Sequence, residues 1–148
     1  MDHTTKVIET SESSVLSVLA ELQSGQIREA VDGFADHFKF TDYGIGVEFD
    51  GKKQLTEFFQ KRRELYPDSE LTTETIFVNG EDVITEWTVE ATTEPFFGGK
   101  SLKVPVVIHG VSVVRTDNGK ITRWSEYYDG LTSHRTALAS YFTDWVEL

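Results

Sequence analysis

Three side chains able to move a proton stand within one hairpin of this sequence, His109 on the outgoing strand and Tyr127 and Asp129 on the returning one. The returning segment, DNGKITRWSEYYD from Asp117 to Asp129, carries its own turn. Asp117 and Asn118 leading into Gly119 at positive φ predict a three-residue hairpin loop with a bulge. With that loop Thr116 faces Lys120, His109 faces Tyr127 and Val107 faces Asp129. An imidazole, a phenol and a carboxylate then share one face with Val107, Val111 and Val113. A carboxylate among valines loses hydration and becomes a stronger base than a wet one, and its natural target is a proton α to a carbonyl. Tyr127 or His109 would donate to the enolate oxygen that results. A two-residue loop would shift the register, send Asp129 to the opposite face and bring Trp124 and Tyr128 to the pocket. The plainer reading makes His109 a satisfied core histidine and Asp129 the cap of a following helix.

Asp42 is the second candidate carboxylate. It ends a strand, His37 to Tyr43, in which Phe38, Phe40 and Asp42 alternate with Lys39, Thr41 and Tyr43. Gly44 and Gly46 follow, so Asp42 is equally suited to forming the turn. Two carboxylates in one apolar pocket would divide acid and base roles between them. Asp129 stands first as the base and Asp42 second. Phe40, Phe59, Trp87, Val107 and Val111 are the candidate walls that touch the substrate, Trp87 by its alternation with Val83 and Val89.

The elements that must position these groups follow from periodicity. Ser11 can cap a helix from Glu12 to Ser24 with Val15, Leu19 and Leu22 on one stripe, Leu16 and Ala20 beside it, and Gly25 as its stop. Residues 1–11 read as a polar, flexible lead-in. Gln26 to Phe34 continues as a short helix packing Ile27, Val31 and Phe34. After the Asp50-Gly51 turn, Lys52 to Tyr66 places Leu55, Phe58, Phe59 and Leu65 at helical spacing and stops before Pro67. From Glu70 the period becomes two, with turn signals at Asn79-Gly80 and Gly98-Gly99. Asp82 to Glu94 has one apolar and one wet face. In Leu102 to Val114, by contrast, Val104, Val106, Ile108 and Val114 alternate with Val107, His109, Val111 and Val113, so both faces need cover. One should meet the helices; the other should meet the terminal segment or a second subunit, which is the ground for expecting a homodimer. Ser133 would cap a last helix over residues 134–142. Helices, a strand, a helix and then strands make an α+β fold in a single domain spanning residues 1–148.

Composition narrows the function. A net charge of -11 disfavours nucleic acid and anionic membrane. Lys61, Arg62 and Arg63 form the only basic run, read as a solvated helix face. There is no cysteine, hence no disulfide framework, no thiol nucleophile and no Cys-based metal site. His3, His37, His109 and His134 lack metal-ligand spacing, and no glycine-rich phosphate loop is present. No cofactor and no metal are expected. Without an apolar run long enough for a membrane helix, the cytoplasm is the default setting.

The tract from Tyr66-Pro67-Asp68 through Asn79-Gly80-Glu81-Asp82-Val83 to GKITRWSEYYD resembles the SnoaL-like polyketide cyclases, within the nuclear transport factor two and ketosteroid isomerase superfamily. The likeness spans roughly Val15 to Asp129. Gly119-Lys120-Ile121 followed by Trp124, Glu126, Tyr127, Tyr128 and Asp129 carries it most specifically, and also looks like the last strand of limonene epoxide hydrolases. The resemblance implies a cone-shaped α+β fold, a curved antiparallel sheet wrapped on about three helices around an apolar cavity for a small molecule. It implies an aspartate base with a histidine nearby, fitting Asp129 and His109, and it sets Asp42 where ketosteroid isomerases carry their aspartate. Epoxide hydrolysis fits less well, because that subfamily's Arg and Asp positions fall on Trp87 and Val89 here. The expectation is a cofactor-independent cyclase or isomerase acting on a small apolar carbonyl compound. A non-catalytic hydrophobic binding module and a structural dimerisation domain are the alternatives.

Overall fold

The computed structural model describes residues 3–94, 96, 97, 100, 101 and 103–131. Its first helix, α1 (His3–Ser24), is longer than the spacing of apolar residues suggests, so Ser11 lies inside it instead of capping it. The Ser11 hydroxyl is buried and donates to the Gly80 carbonyl at 2.9 Å, and Ser14 donates to the Gly119 carbonyl at 2.7 Å. Two serines thus pin the helix to the tips of two hairpins. Val15, Val18 and Leu19 face the core while Leu16 is exposed. The helix α2 (Ile27–Asp32) ends early and Phe34 opens the first strand instead of closing a helix. The third helix, α3 (Lys52–Leu65), packs Leu55 and Phe59 inward, with Leu65 left exposed. No helix among the described residues is long and apolar enough to cross a membrane. The helix expected over residues 134–142 and the turn at Gly98-Gly99 lie outside the described residues.

The strands are β1 (Phe34–Asp42), β2 (Val47–Phe49), β3 (Glu70–Asn79), β4 (Asp82–Thr93), β5 (Phe96–Phe97), β6 (Lys100–Ser101), β7 (Val104–Asp117) and β8 (Lys120–Tyr128). Six of them form one curled sheet in the order β2-β1-β8-β7-β4-β3, with β5 and β6 a separate small hairpin. All neighbours in the large sheet are antiparallel except β1 and β8, which run parallel. The helices cover its concave side, where Phe34, Phe40, Phe59, Leu55, Val83, Val114, Ile121 and Trp124 are wholly buried. Phe34 and Phe40 stack edgewise or tilted against Phe38, Trp124, Phe58 and Phe59, the geometry aromatic quadrupoles favour.

The β7–β8 hairpin departs from the expected loop. Asn118 and Gly119 both have positive φ, 50° and 79°, and Asp117 pairs with Lys120, so the loop holds two residues. This is the turn whose twist matches that of its strands, and Asn-Gly is its favoured sequence. The bulge comes later, with Thr122 as the extra residue between Ile121, opposite Thr116, and Arg123, opposite Arg115. From there Val111 faces Tyr127 and Gly110 faces Tyr128, replacing the expected pairing of His109 with Tyr127. A shorter loop and a later bulge together shift the register by an even number. The side chains expected to share a face therefore still share it, but that face is the convex one.

Candidate functional site

On the concave face one transverse row is polar. Thr85 on β4 pairs with Ser112 on β7, Ser112 with Glu126 on β8, and Glu126 with Asp42 on β1. All four side chains are buried, Asp42, Thr85 and Ser112 at 0% exposure and Glu126 at 6%. The rows on either side are apolar or aromatic: Val83, Val114, Trp124 and Phe40 on one, Trp87, Gly110 and Tyr128 on the other. Period-two alternation on four strands thus lines up a polar stripe across an apolar interior.

Each carboxylate has specific partners. The Tyr128 hydroxyl donates to Asp42 Oδ2 at 2.9 Å, and the Ile45 N–H donates to Oδ1 at 3.1 Å. Asp42 therefore both shapes the turn before Gly46 and faces the interior. Arg62 reaches in from α3 to donate to Glu126 Oε2 at 3.2 Å, its guanidinium 5.2 Å and 5.1 Å from the centres of the Phe58 and Phe59 rings. Trp87 Nε1 donates to Ser112 Oγ at 2.9 Å, and the Trp87 ring lies 5.9 Å from that of Tyr128. Two aromatic side chains thus cover the polar row and tie their polar atoms back to it. Glycines make room for them: a Cβ on Gly110 would sit 2.3 Å from the Trp87 ring, and one on Gly44 would sit 2.2 Å from that of Tyr128.

Burial sets the electrostatics. Desolvation pushes Glu126 above the usual carboxylate range, the nearby Asp42 charge pushes it further, and Arg62 only partly opposes them. The Trp124 indole N–H, which lowers that rise slightly, is buried with no hydrogen-bond partner among the described residues. Desolvation likewise raises Tyr128, reinforced by the Asp42 charge and by its hydrogen bond to that group, so the phenol stays a proton donor at any ordinary pH.

Of the sequence candidates, Asp42, Phe40, Phe59 and Trp87 lie in this interior. His109, Tyr127, Val107 and Val111 lie on the convex face, and Asp129 is exposed beyond the end of β8. His109 Nδ1 meets the Thr88 hydroxyl at 3.2 Å, Tyr127 stacks on Tyr43 at 4.7 Å, and Asp129 Oδ1 accepts from the Leu131 N–H at 2.9 Å. The expected convergence of His109, Tyr127 and Asp129 with Asp42 is therefore not found. The physical reason is the curl of the sheet, which buries the face holding Gly110 and Ser112 and leaves the valine-rich one outside. Sequence reasoning missed Glu126, Ser112, Thr85 and Arg62, and it offered Trp124 and Tyr128 only as the outcome of a two-residue loop, which is the loop found. The available signal was the alternation of Trp124, Glu126 and Tyr128. A cleft of about 360 Å³ opens elsewhere, between α2 and α3, lined by Arg28, Lys53 and Glu57 among others. None of the polar-row residues borders it.

Among the described residues, a curled six-stranded sheet folded over three helices makes the cone-like α+β architecture of the ketosteroid isomerase-like fold. The sequence profile of the SnoaL-like domain matches residues 15–124, and the chain belongs to that family. No curated protein matches it in sequence. Solved structures match it in fold. A protein from Jannaschia sp. CCS1, proposed to be a SnoaL-like polyketide cyclase, superposes with a TM-score of 0.76 at 18% identity, covering 92% of this chain and 96% of the other. IdmH from Streptomyces antibioticus, proposed to be a polyketide cyclase, gives 0.74 at 18% identity over 86% and 97%. A protein with a ketosteroid isomerase-like fold from Catenulispora acidiphila, in complex with trimethylamine, gives 0.72 at 17% identity over 90% and 97%.

Proposed function

We propose that this SnoaL-like protein is a cofactor-independent acid/base enzyme of the cyclase or isomerase kind. Its substrate is a small apolar carbonyl compound held against Phe40, Phe59 and Trp87. The observation that carries this reading is the fully buried Asp42 carboxylate, hydrogen-bonded by Tyr128 at 2.9 Å within an aromatic wall. Asp42, in place of Asp129, is the base. It takes the proton from the carbon beside the carbonyl; the C–H electron pair forms a carbon–carbon double bond while the carbonyl π pair moves onto oxygen, and Tyr128 swings its hydroxyl from Asp42 to that oxygen. Reprotonation elsewhere gives an isomer, whereas attack of the enolate on an internal carbonyl closes a ring. The relatives proposed as polyketide cyclases support the same chemistry.

Incubating the protein in D2O with a panel of small cyclic and aromatic ketones, and following loss of the α-proton signal by NMR, tests this and does not require the native substrate. Asp42→Asn should slow exchange by ~10² or more, and exchange at the wild-type rate in that variant would sink the assignment.

One observation favours a second reading, a non-catalytic binding module. Both oxygens of Asp42 are already satisfied, by Tyr128 and by the Ile45 N–H. Panel compounds that bind without exchanging would support it. We also propose a homodimer through the convex face, where Phe77, Ile84, Val107 and Tyr127 are exposed by 63%, 39%, 46% and 42%. Light scattering at micromolar concentration should read twice the chain mass, and a monomer there would remove the proposal.

A further inference from the structure

The run Lys61-Arg62-Arg63 reads in sequence as a solvated helix face, but its three members part company in the fold. Lys61 pairs with Glu64 on its own helix, and Arg63 donates to the Leu22 and Gln23 carbonyls at the end of α1. Arg62 alone turns inward, across Phe58 and Phe59, to Glu126. We propose that Arg62 is a positioning residue, the cation that sets how firmly Glu126 holds a proton beside the buried Asp42 carboxylate.

The register carries the argument. Asp42 and Glu126 are partners on adjacent parallel strands, both buried, so two negative charges would face each other across one strand spacing, about 4.8 Å. Asp42 is held by neutral donors, Tyr128 and the Ile45 N–H, whereas Glu126 has Arg62. Among the described residues the charged and titratable groups facing Glu126 are Asp42 from β1, Arg62 from α3 and Tyr128 on its own strand; β7 presents only Ser112. Without the guanidinium, like charge and burial both favour a proton on Glu126. With it, that preference is opposed but not cancelled, since burial still holds Glu126 above the usual carboxylate range. This rests on the acid/base reading for its consequence, though not for its measurement.

The experiment is a pH titration of side-chain glutamate carbonyls by ¹³C NMR, the Glu126 signal being assigned by its loss in Glu126→Gln. In Arg62→Met, which keeps an apolar stem on the two rings, the Glu126 midpoint should move up by on the order of one pH unit, and Arg62→Lys should recover most of that. In Asp42→Asn, with Arg62 intact, the midpoint should move down. Midpoints unchanged in both Arg62→Met and Asp42→Asn would overturn the proposal. If Arg62→Met fails to fold, an unmoved midpoint in Asp42→Asn overturns it alone. Shifts as stated with no α-proton exchange on any panel compound would leave Arg62's hold on Glu126 standing and remove the catalytic reading instead.

Discussion

The two faces of β7 are both rich in valine, yet they do opposite work. Inward it presents Val104, Val106, Gly110, Ser112 and Val114; outward it presents Val107, His109, Val111 and Val113. The convex face holds the more conspicuous chemical group, an imidazole, in contact with Thr88 at the surface. The concave face holds a glycine and a serine, and those two small residues let Trp87 fold over the polar row and hydrogen-bond into it. What makes a group chemically unusual here is desolvation. The curl of the sheet supplies that to Glu126 and Tyr128, and it leaves the His109 and Tyr127 side chains at the surface.

The sharpest way to break this contrast is to add one methyl group on the inner face. Gly110→Ala would place a Cβ 2.3 Å from the Trp87 ring. The ring is buried and tethered to Ser112, so it cannot simply rotate away. Overpacking of this kind costs about 1–3 kcal/mol, which urea unfolding should detect, together with a change in tryptophan fluorescence as the indole leaves Ser112. A variant as stable as wild type would mean that the cover over the polar row is loose.

The same contrast explains what could be read in advance. Period-two and helical spacing located the main strands and α3, and they put Phe38, Phe40 and Asp42 on one side of β1 and Trp87 inside, because those strands have one apolar face each. In β7 both faces are apolar, so alternation alone could not say which one the helices cover. Valines beside His109 outweighed Gly110 and Ser112 in hydrophobicity, but only the fold shows that a glycine there accommodates a tryptophan. The hairpin was a local problem with a local signal, Asn-Gly, and the favoured two-residue turn won. The bulge at Thr122 had no such signal. Nor did Arg62, whose helix position shows a charge at a surface but not the buried partner sixty-four residues later.

A smaller effect than the overpacking follows from the raised Glu126. A carboxylate whose folded-state value lies above its unfolded one binds more protons in the native state, so its contribution to stability is full below the ordinary glutamate range and is lost as pH rises through the folded value. Asp82 is displaced the other way by its hydrogen bond to Arg115, and it loses its stabilising contribution as pH falls below the ordinary aspartate range. The two windows lie on opposite sides of that range and can be separated. Wild-type stability relative to Glu126→Gln should therefore be greatest in mild acid and should decline toward neutrality, as measured by urea unfolding at a series of pH values. A difference that grows with pH would mean that Arg62 overcomes the burial cost, reversing the electrostatic balance described for the inner face.

The smallest effect belongs to the outer face, where its smallness is the point. His109→Ala removes an exposed imidazole whose contact is a 3.2 Å hydrogen bond to Thr88, and exposed substitutions of this kind usually stay within about 0.5 kcal/mol. α-Proton exchange should be unchanged, because no part of the polar row touches that face. The convex face is also where a second subunit would dock, so the unfolding midpoint should be compared at low and high protein concentration. A loss of stability that appears only at high concentration assigns His109 to the dimer, since assembly adds stability by mass action and monomer packing does not. A loss of exchange at either concentration would return the chemistry to the face where the sequence first suggested it.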